Sequence, residues 1–81
     1  MWVYILQSVS YPKTYTGVSE NIAKRVKEHN SGSNSYTRKY KPWVLIHSEE
    51  FDTSTKAFQR ERYLKSHAGR NWLKKNIFAD R

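Results

Sequence analysis

The chain contains no cysteine. That excludes disulfide staples, thiolate zinc sites and a cysteine nucleophile. Proline and glycine are sparse, at two and three residues, and no repeat, linker or low-complexity tract interrupts the sequence. Long apolar runs are missing too. No stretch approaches the roughly 18 residues of a membrane span. The opening Met1-Trp2-Val3-Tyr4-Ile5-Leu6 lacks the basic flank and cleavage site of a secretory leader. These absences predict a cytoplasmic address and no membrane partner. Acid is the scarcest charge: seven Asp and Glu stand against 15 Lys and Arg, leaving +8 on 81 residues.

Such an excess favours polyanions, nucleic acid first. The length suits one small domain, residues 1–81, and not two. Aliphatic residues are few, but aromatics reach 15% and include Trp2, Trp43 and Trp72. Large rings can build a core when aliphatics are scarce.

The hydrophobic pattern predicts three strands and three helices. Trp2 to Gln7 is apolar on both alternating faces, as in a strand covered on both sides. Ser8 to Lys13 reads as a loop, and Thr14-Tyr15-Thr16-Gly17-Val18 as the second strand of a hairpin. Ser19 is a candidate cap for a helix from Glu20 to about Asn30, with Ile22, Ala23 and Val26 as its apolar stripe. Asn30 to Ser35 then stops it. Trp43 to Glu50 reads as a third strand. Asp52 or Thr53 caps a helix running to about His67, with Ala57, Phe58 and Leu64 inward and Ala68-Gly69 as its break. Asn71 to about Ile77 forms a last short helix. The order β-β-α-β-α-α predicts an α+β fold: a three-stranded antiparallel sheet, first strand in the middle, with flanking helices.

Polar residues on the predicted inward faces carry the functional signal. With Ala57 at zero and about 100° per residue, Glu61 falls near 40°, inside the apolar stripe. A carboxylate there needs a cation, hydrogen-bond donors or a proton. On the first helix His29 lies inside the stripe and Arg25 on its edge, four residues apart and therefore on one face. A Glu, an Arg and a His converging on the sheet would make a site. The same pattern also fits a buried Glu61–Arg25 ion pair beside a core histidine.

Tyr4 and Tyr15 fall on neighbouring strands. Gly17 shares a face with Tyr15 and lets a backbone or ligand come close. Tyr36-Thr37-Arg38-Lys39-Tyr40-Lys41 interleaves rings with cations, as binders of single strands or junctions do. Arg60, Lys65 and Arg70 belong to a strongly basic second half, which also fits a solvated surface attractive to any polyanion.

Taken together, Trp2-Val3-Tyr4, Tyr15-Thr16-Gly17, Arg25, His29 and Glu61 resemble the GIY-YIG nuclease superfamily. Within it the chain looks most like small stand-alone bacterial proteins similar to the N-terminal nuclease domain of a bacterial excinuclease. Glu28-His29-Asn30-Ser31-Gly32, Lys41-Pro42-Trp43, Arg60-Glu61-Arg62-Tyr63-Leu64-Lys65 and Gly69-Arg70 support it. The resemblance covers the whole chain. It implies a three-stranded sheet with helices and a DNA endonuclease of repair or recombination, using one Mg²⁺ or Mn²⁺ bound by Glu61. It implies Arg25 on the phosphate, Tyr4 and Tyr15 lining the site, and His29 at a position that relatives fill with His or Tyr. It also implies branched, damaged or single-stranded DNA as substrates and a partner protein for targeting. Trp2 stands where the name motif has its first Gly, and Thr16 where the second motif has Ile. The family's late asparagine has no clear match, with Asn71 and Asn76 nearby.

The chemistry suits these residues. Phosphodiester cleavage gathers charge on phosphate oxygens, so positioned cations lower the barrier. Either Tyr15 or His29 is open as the base. A non-catalytic nucleic-acid-binding module on the same fold is the alternative.

Overall fold

The computed structural model describes residues 1–78, so the last three residues of the expected domain lie outside the described region. The elements are β1 (Trp2–Ser8), β2 (Thr14–Ser19), α1 (Ile22–Ser31), α2 (Ser35–Lys39), β3 (Trp43–Glu50), α3 (Ser54–Lys65) and α4 (His67–Asn76). The sheet is antiparallel with strand order β2-β1-β3. Val3, Tyr4, Ile5 and Leu6 are all fully buried, which is why an unbroken apolar run occupies the middle strand. Their side chains alternate between two cores. Val3 and Ile5 meet Ala57, Leu64 and Leu73 of α3 and α4. Tyr4 and Leu6 meet Trp43, with Tyr15, Ile22, Val26 and Tyr40 around them. Among the described residues no helix is long and apolar enough to cross a membrane.

The predicted order holds, with one addition and several shifted boundaries. The cap of α1 is Asn21, whose side chain accepts from Lys24 N–H; Ser19 instead braces Asn21. Glu20 therefore lies before the helix, and Ala23 is exposed. The addition is α2, capped by Asn34, which accepts from the N–H groups of Tyr36 and Thr37. Five residues are too few to show a helical period. Helix α2 is held from outside: Thr37 is fully buried and its carbonyl accepts the Trp43 indole N–H at 2.7 Å.

Asn30, expected only to stop a helix, does the work of a strand. Its amide pairs with Trp43 twice, accepting from the backbone N–H at 2.6 Å and donating to the carbonyl at 3.0 Å. This ties the end of α1 to the start of β3.

Thr53 caps α3. Ala57 and Leu64 are buried as expected, whereas Phe58 is 51% exposed, because it sits about 100° around the helix from Ala57. The break falls at Ser66, not at Ala68-Gly69. Ser66 ends α3, and its hydroxyl accepts from Gly69 N–H to begin α4. Gly69 lies inside α4, where a Cβ would run into the Tyr63 carbonyl oxygen. The glycine serves close packing of two helices rather than termination.

Candidate functional site

The site begins with a cross-strand pair. Tyr4 on β1 stands opposite Gly17 on β2. A Cβ at residue 17 would lie 2.6 Å from the Tyr4 hydroxyl and 3.0 Å from Tyr15 Cε1. The space predicted at Gly17 is thus filled by the Tyr4 phenol, not by a ligand. From α1, His29 Nε2 meets Tyr4 Oη at 3.0 Å, and the Arg25 guanidinium is near enough to act on the same phenol electrostatically. The Tyr15 ring packs 4.6 Å from the His29 ring and 6.2 Å from that of Tyr4. Four of the five predicted residues therefore form one connected group.

Burial divides that group. Tyr4 and His29 are 0% and 1% exposed. The Arg25 side chain keeps 38% of its surface, and Tyr15 is half-buried. Tyr4, expected to line the site, and His29, open as a base for water, are both enclosed beside the more exposed Arg25 and Tyr15. Neither side chain offers surface to a bound group.

The electrostatics follow from the same packing. Burial pushes the Tyr4 phenol above its usual range; the nearby Arg25 guanidinium opposes this, while Tyr15 and Glu61 add to it. Tyr4 is a neutral phenol at physiological pH. Burial also lowers the His29 pKa, and Arg25 reinforces it against Glu28. His29 Nδ1 is buried and has no partner among the described residues. The direction of the bond between Nε2 and the Tyr4 hydroxyl is set by the imidazole tautomer.

Glu61 comes from α3, across the sheet. Its carboxylate is close enough to act on Tyr4 electrostatically, and its side chain is 22% exposed. It bonds to Lys65 at 3.4 Å, while Arg25 pairs with Glu28 at 3.6 Å. The alternative Glu61–Arg25 ion pair is absent among the described residues. Both groups are held by weak partners on their own helices.

The predicted binding residues separate into kinds. Arg38 lies against Gly32, and Lys39 sits over the Tyr40 ring at 5.4 Å. Tyr40 is wedged between Tyr11 and Tyr36, with centroids at 5.2 and 5.1 Å. Lys41, ahead of the cis Pro42, is exposed. Lys65 and Arg70 are exposed on α3 and α4. Arg60 departs from expectation. Its guanidinium forks onto Glu49 at 2.9 and 3.2 Å, 4.6 Å from the Trp72 ring centroid. Burial would raise the Glu49 pKa, but Arg60 and His47 together hold it low. This cluster pins β3 to α3 and α4, so Arg60 already has partners within the fold. Of the late asparagines, Asn76 donates to the Trp72 carbonyl of its own helix and Asn71 is exposed on α4.

A sheet ordered 2-1-3, with two tyrosines, an arginine and a histidine knotted at the hairpin and a glutamate brought from a later helix, defines the nuclease class of the GIY-YIG fold. The family model described as the GIY-YIG catalytic domain matches residues 1–76, and the chain belongs to that family. Its relatives include a UPF0213 protein of Natronomonas pharaonis, 42% identical over 66 residues, covering 80% of this chain and 76% of the relative. A UPF0213 protein of Staphylococcus saprophyticus is 38% identical over 74% of each chain. One of Staphylococcus haemolyticus is 32% identical, covering 90% of this chain and 89% of its own. No solved structure matches significantly.

Proposed function

We propose that the chain is a divalent-metal-dependent endonuclease that hydrolyses DNA phosphodiester bonds. One observation carries the reading: a partly exposed guanidinium, Arg25, lies electrostatically coupled to a buried phenol that His29 holds, next to the half-exposed Tyr15. A phosphate-binding fork that is already aimed loses little freedom on binding.

The donor set fits a hard cation. The chain offers no thiolate, and no group of three or more His, Cys, Asp or Glu gathers among the described residues. Mg²⁺ keeps several waters and needs few carboxylates when a substrate phosphate completes its shell. Glu61, with Mg²⁺ or Mn²⁺, would be that carboxylate, released from Lys65. Held there, such an ion would supply positive charge near the phosphate oxygens and lower the pKa of water. Arg25 binds the phosphate and stabilises the charge that builds on it. Tyr15, half-exposed beside Arg25, would take a proton from the attacking water as its phenolate, becoming the neutral phenol. Tyr4 and His29 keep Arg25 and Tyr15 in position. Lys39, Lys41, Lys65 and Arg70 attract the DNA backbone.

A nicking assay on plasmid, single-stranded and branched DNA with Mg²⁺, Mn²⁺ or EDTA tests this. Metal-dependent cutting is expected. Glu61→Ala abolishes it while DNA binding stays near wild type. Arg25→Ala lowers kcat by about 10²–10³, the usual loss for one transition-state donor. Binding with no metal-dependent cutting on any substrate would establish the non-catalytic module instead.

A further inference from the structure

Two hollows flank the free edge of β2. One, of about 310 Å³, opens beside Tyr15 and is walled by Lys65, Arg70 and Leu73. The other, of about 470 Å³, lies between Lys13, Tyr36, Arg70 and Lys74. They share Thr14, Arg70 and Leu73, so they form one groove around the strand edge. Its near end is tied to the candidate site, because Lys65 bonds to Glu61 and Tyr15 packs on His29. Its far wall is anchored where the Tyr36 hydroxyl donates to the Thr14 carbonyl at 3.3 Å.

The lining is one-signed. Lys13, Lys65, Arg70 and Lys74 contribute four cations, and no carboxylate borders either hollow. Arg70 and Lys74 are exposed, and neither side chain hydrogen-bonds or ion-pairs among the described residues. They stand four residues apart on α4, one above the other on the same face. A row of unneutralised cations leading away from a phosphate-binding site is complementary to a phosphate chain.

We propose that this groove holds the phosphates of the substrate DNA strand on one side of the scissile bond. The cut therefore depends on the length of that flank and not on the other. The inference rests on the nuclease reading for its polarity, but the groove itself is a binding claim that can be measured without cleavage.

The test uses the full chain and 5′-labelled oligonucleotides shortened from either end around the cut. Shortening one flank raises KM by about tenfold at constant kcat, whereas shortening the other leaves it unchanged. The double variant Arg70→Ala, Lys74→Ala cuts the long substrate as the wild type cuts the short one, and is indifferent to further shortening. In parallel, anisotropy measures oligonucleotide binding on a Glu61→Gln background from low to moderate salt. There the double variant lowers the slope of log K against log[salt] by about two, one per cation. The variant Lys24→Ala, Lys27→Ala, which removes the same charge from exposed α1 positions, keeps the one-sided dependence. Equal dependence on both flanks, an unchanged salt slope, or the same effect from the α1 variant overturns the proposal. If neither the wild type nor any variant cuts but the salt slope still responds to Arg70 and Lys74, the nuclease reading falls and the groove stands.

Discussion

At the residue scale, the site is organised around a fully buried phenol. Tyr4 needs Gly17 opposite it, because a single Cβ there would overlap its hydroxyl. Gly17→Ala is therefore expected to cost far more activity than stability. The ring must swing and release Arg25 and His29 together, so kcat falls by about 10² or more, the scale of one lost positioned donor. The stability loss is about 1–3 kcal/mol, as for overpacking. Steady-state kinetics against a urea titration separates the two. The converse, a larger loss of stability than of rate, would show that Tyr4 is mere core.

His29 gives a pH signature. Its folded pKa lies below the unfolded value of about 6.5. The unfolded chain thus binds a proton that the folded chain refuses. The stability this histidine contributes is present above pH 6.5 and is lost as pH falls through its depressed folded value. His29→Phe should flatten the urea midpoint between about pH 7 and pH 5 relative to wild type. An equally steep decline in the variant would assign the acid sensitivity elsewhere.

At the element scale, what matters is how tightly neighbouring helices are joined. Ser66 is the last cap of one helix and the first cap of the next, and Gly69 lets the second approach the backbone of the first. Gly69→Ala would drive a methyl into the Tyr63 carbonyl oxygen. The helices must separate, at a cost of about 3 kcal/mol or more, above the usual overpacking range. Gly32→Ala is the fair comparison. There the obstacle is left-handed backbone, φ 90°, with a flexible Arg38 side chain alongside, and a loss of about 1 kcal/mol is expected. Thermal melts of both variants check the ranking.

At the scale of the whole molecule, β1 is the element on which both cores depend. Ile5→Ala should cost about 2–5 kcal/mol and leave one cooperative transition. Trp43 belongs to the α1-side core and Trp72 packs on the other, so single-tryptophan variants report each side separately. Coincident urea curves are expected; separated ones would mean the faces fold independently.

The same strand explains what could be read in advance. Four consecutive apolar residues can be buried only in the middle of a sheet with both faces covered, so topology followed from β1. Arg25 and His29 stood out because polar groups on an apolar face are anomalous, whereas Tyr15 stood out only beside Gly17 and through the family resemblance. What stayed hidden was relational. Nothing in the periodicity separates a phenol that lines a site from one that lies under it; only the contact of Tyr4 with Arg25 and His29 does. Asn30 reads as a helix stop until Trp43 is beside it. Arg60 reads as a free cation until the β-bulge between Ile5 and Leu6 on the β1–β3 register is followed to His47 and Glu49. Helix α2, five residues long, is defined by its buried threonine and by an indole from the next strand.

The joint at Ser66 has a thermodynamic corollary for whatever lies against α4. A hinge with no spare residues cannot swing, so the distance from Lys65 to Arg70 is nearly the same before and after a ligand arrives. Association there would forfeit little conformational entropy, and the encounter would be governed by long-range attraction and ionic strength rather than by a slow closing motion.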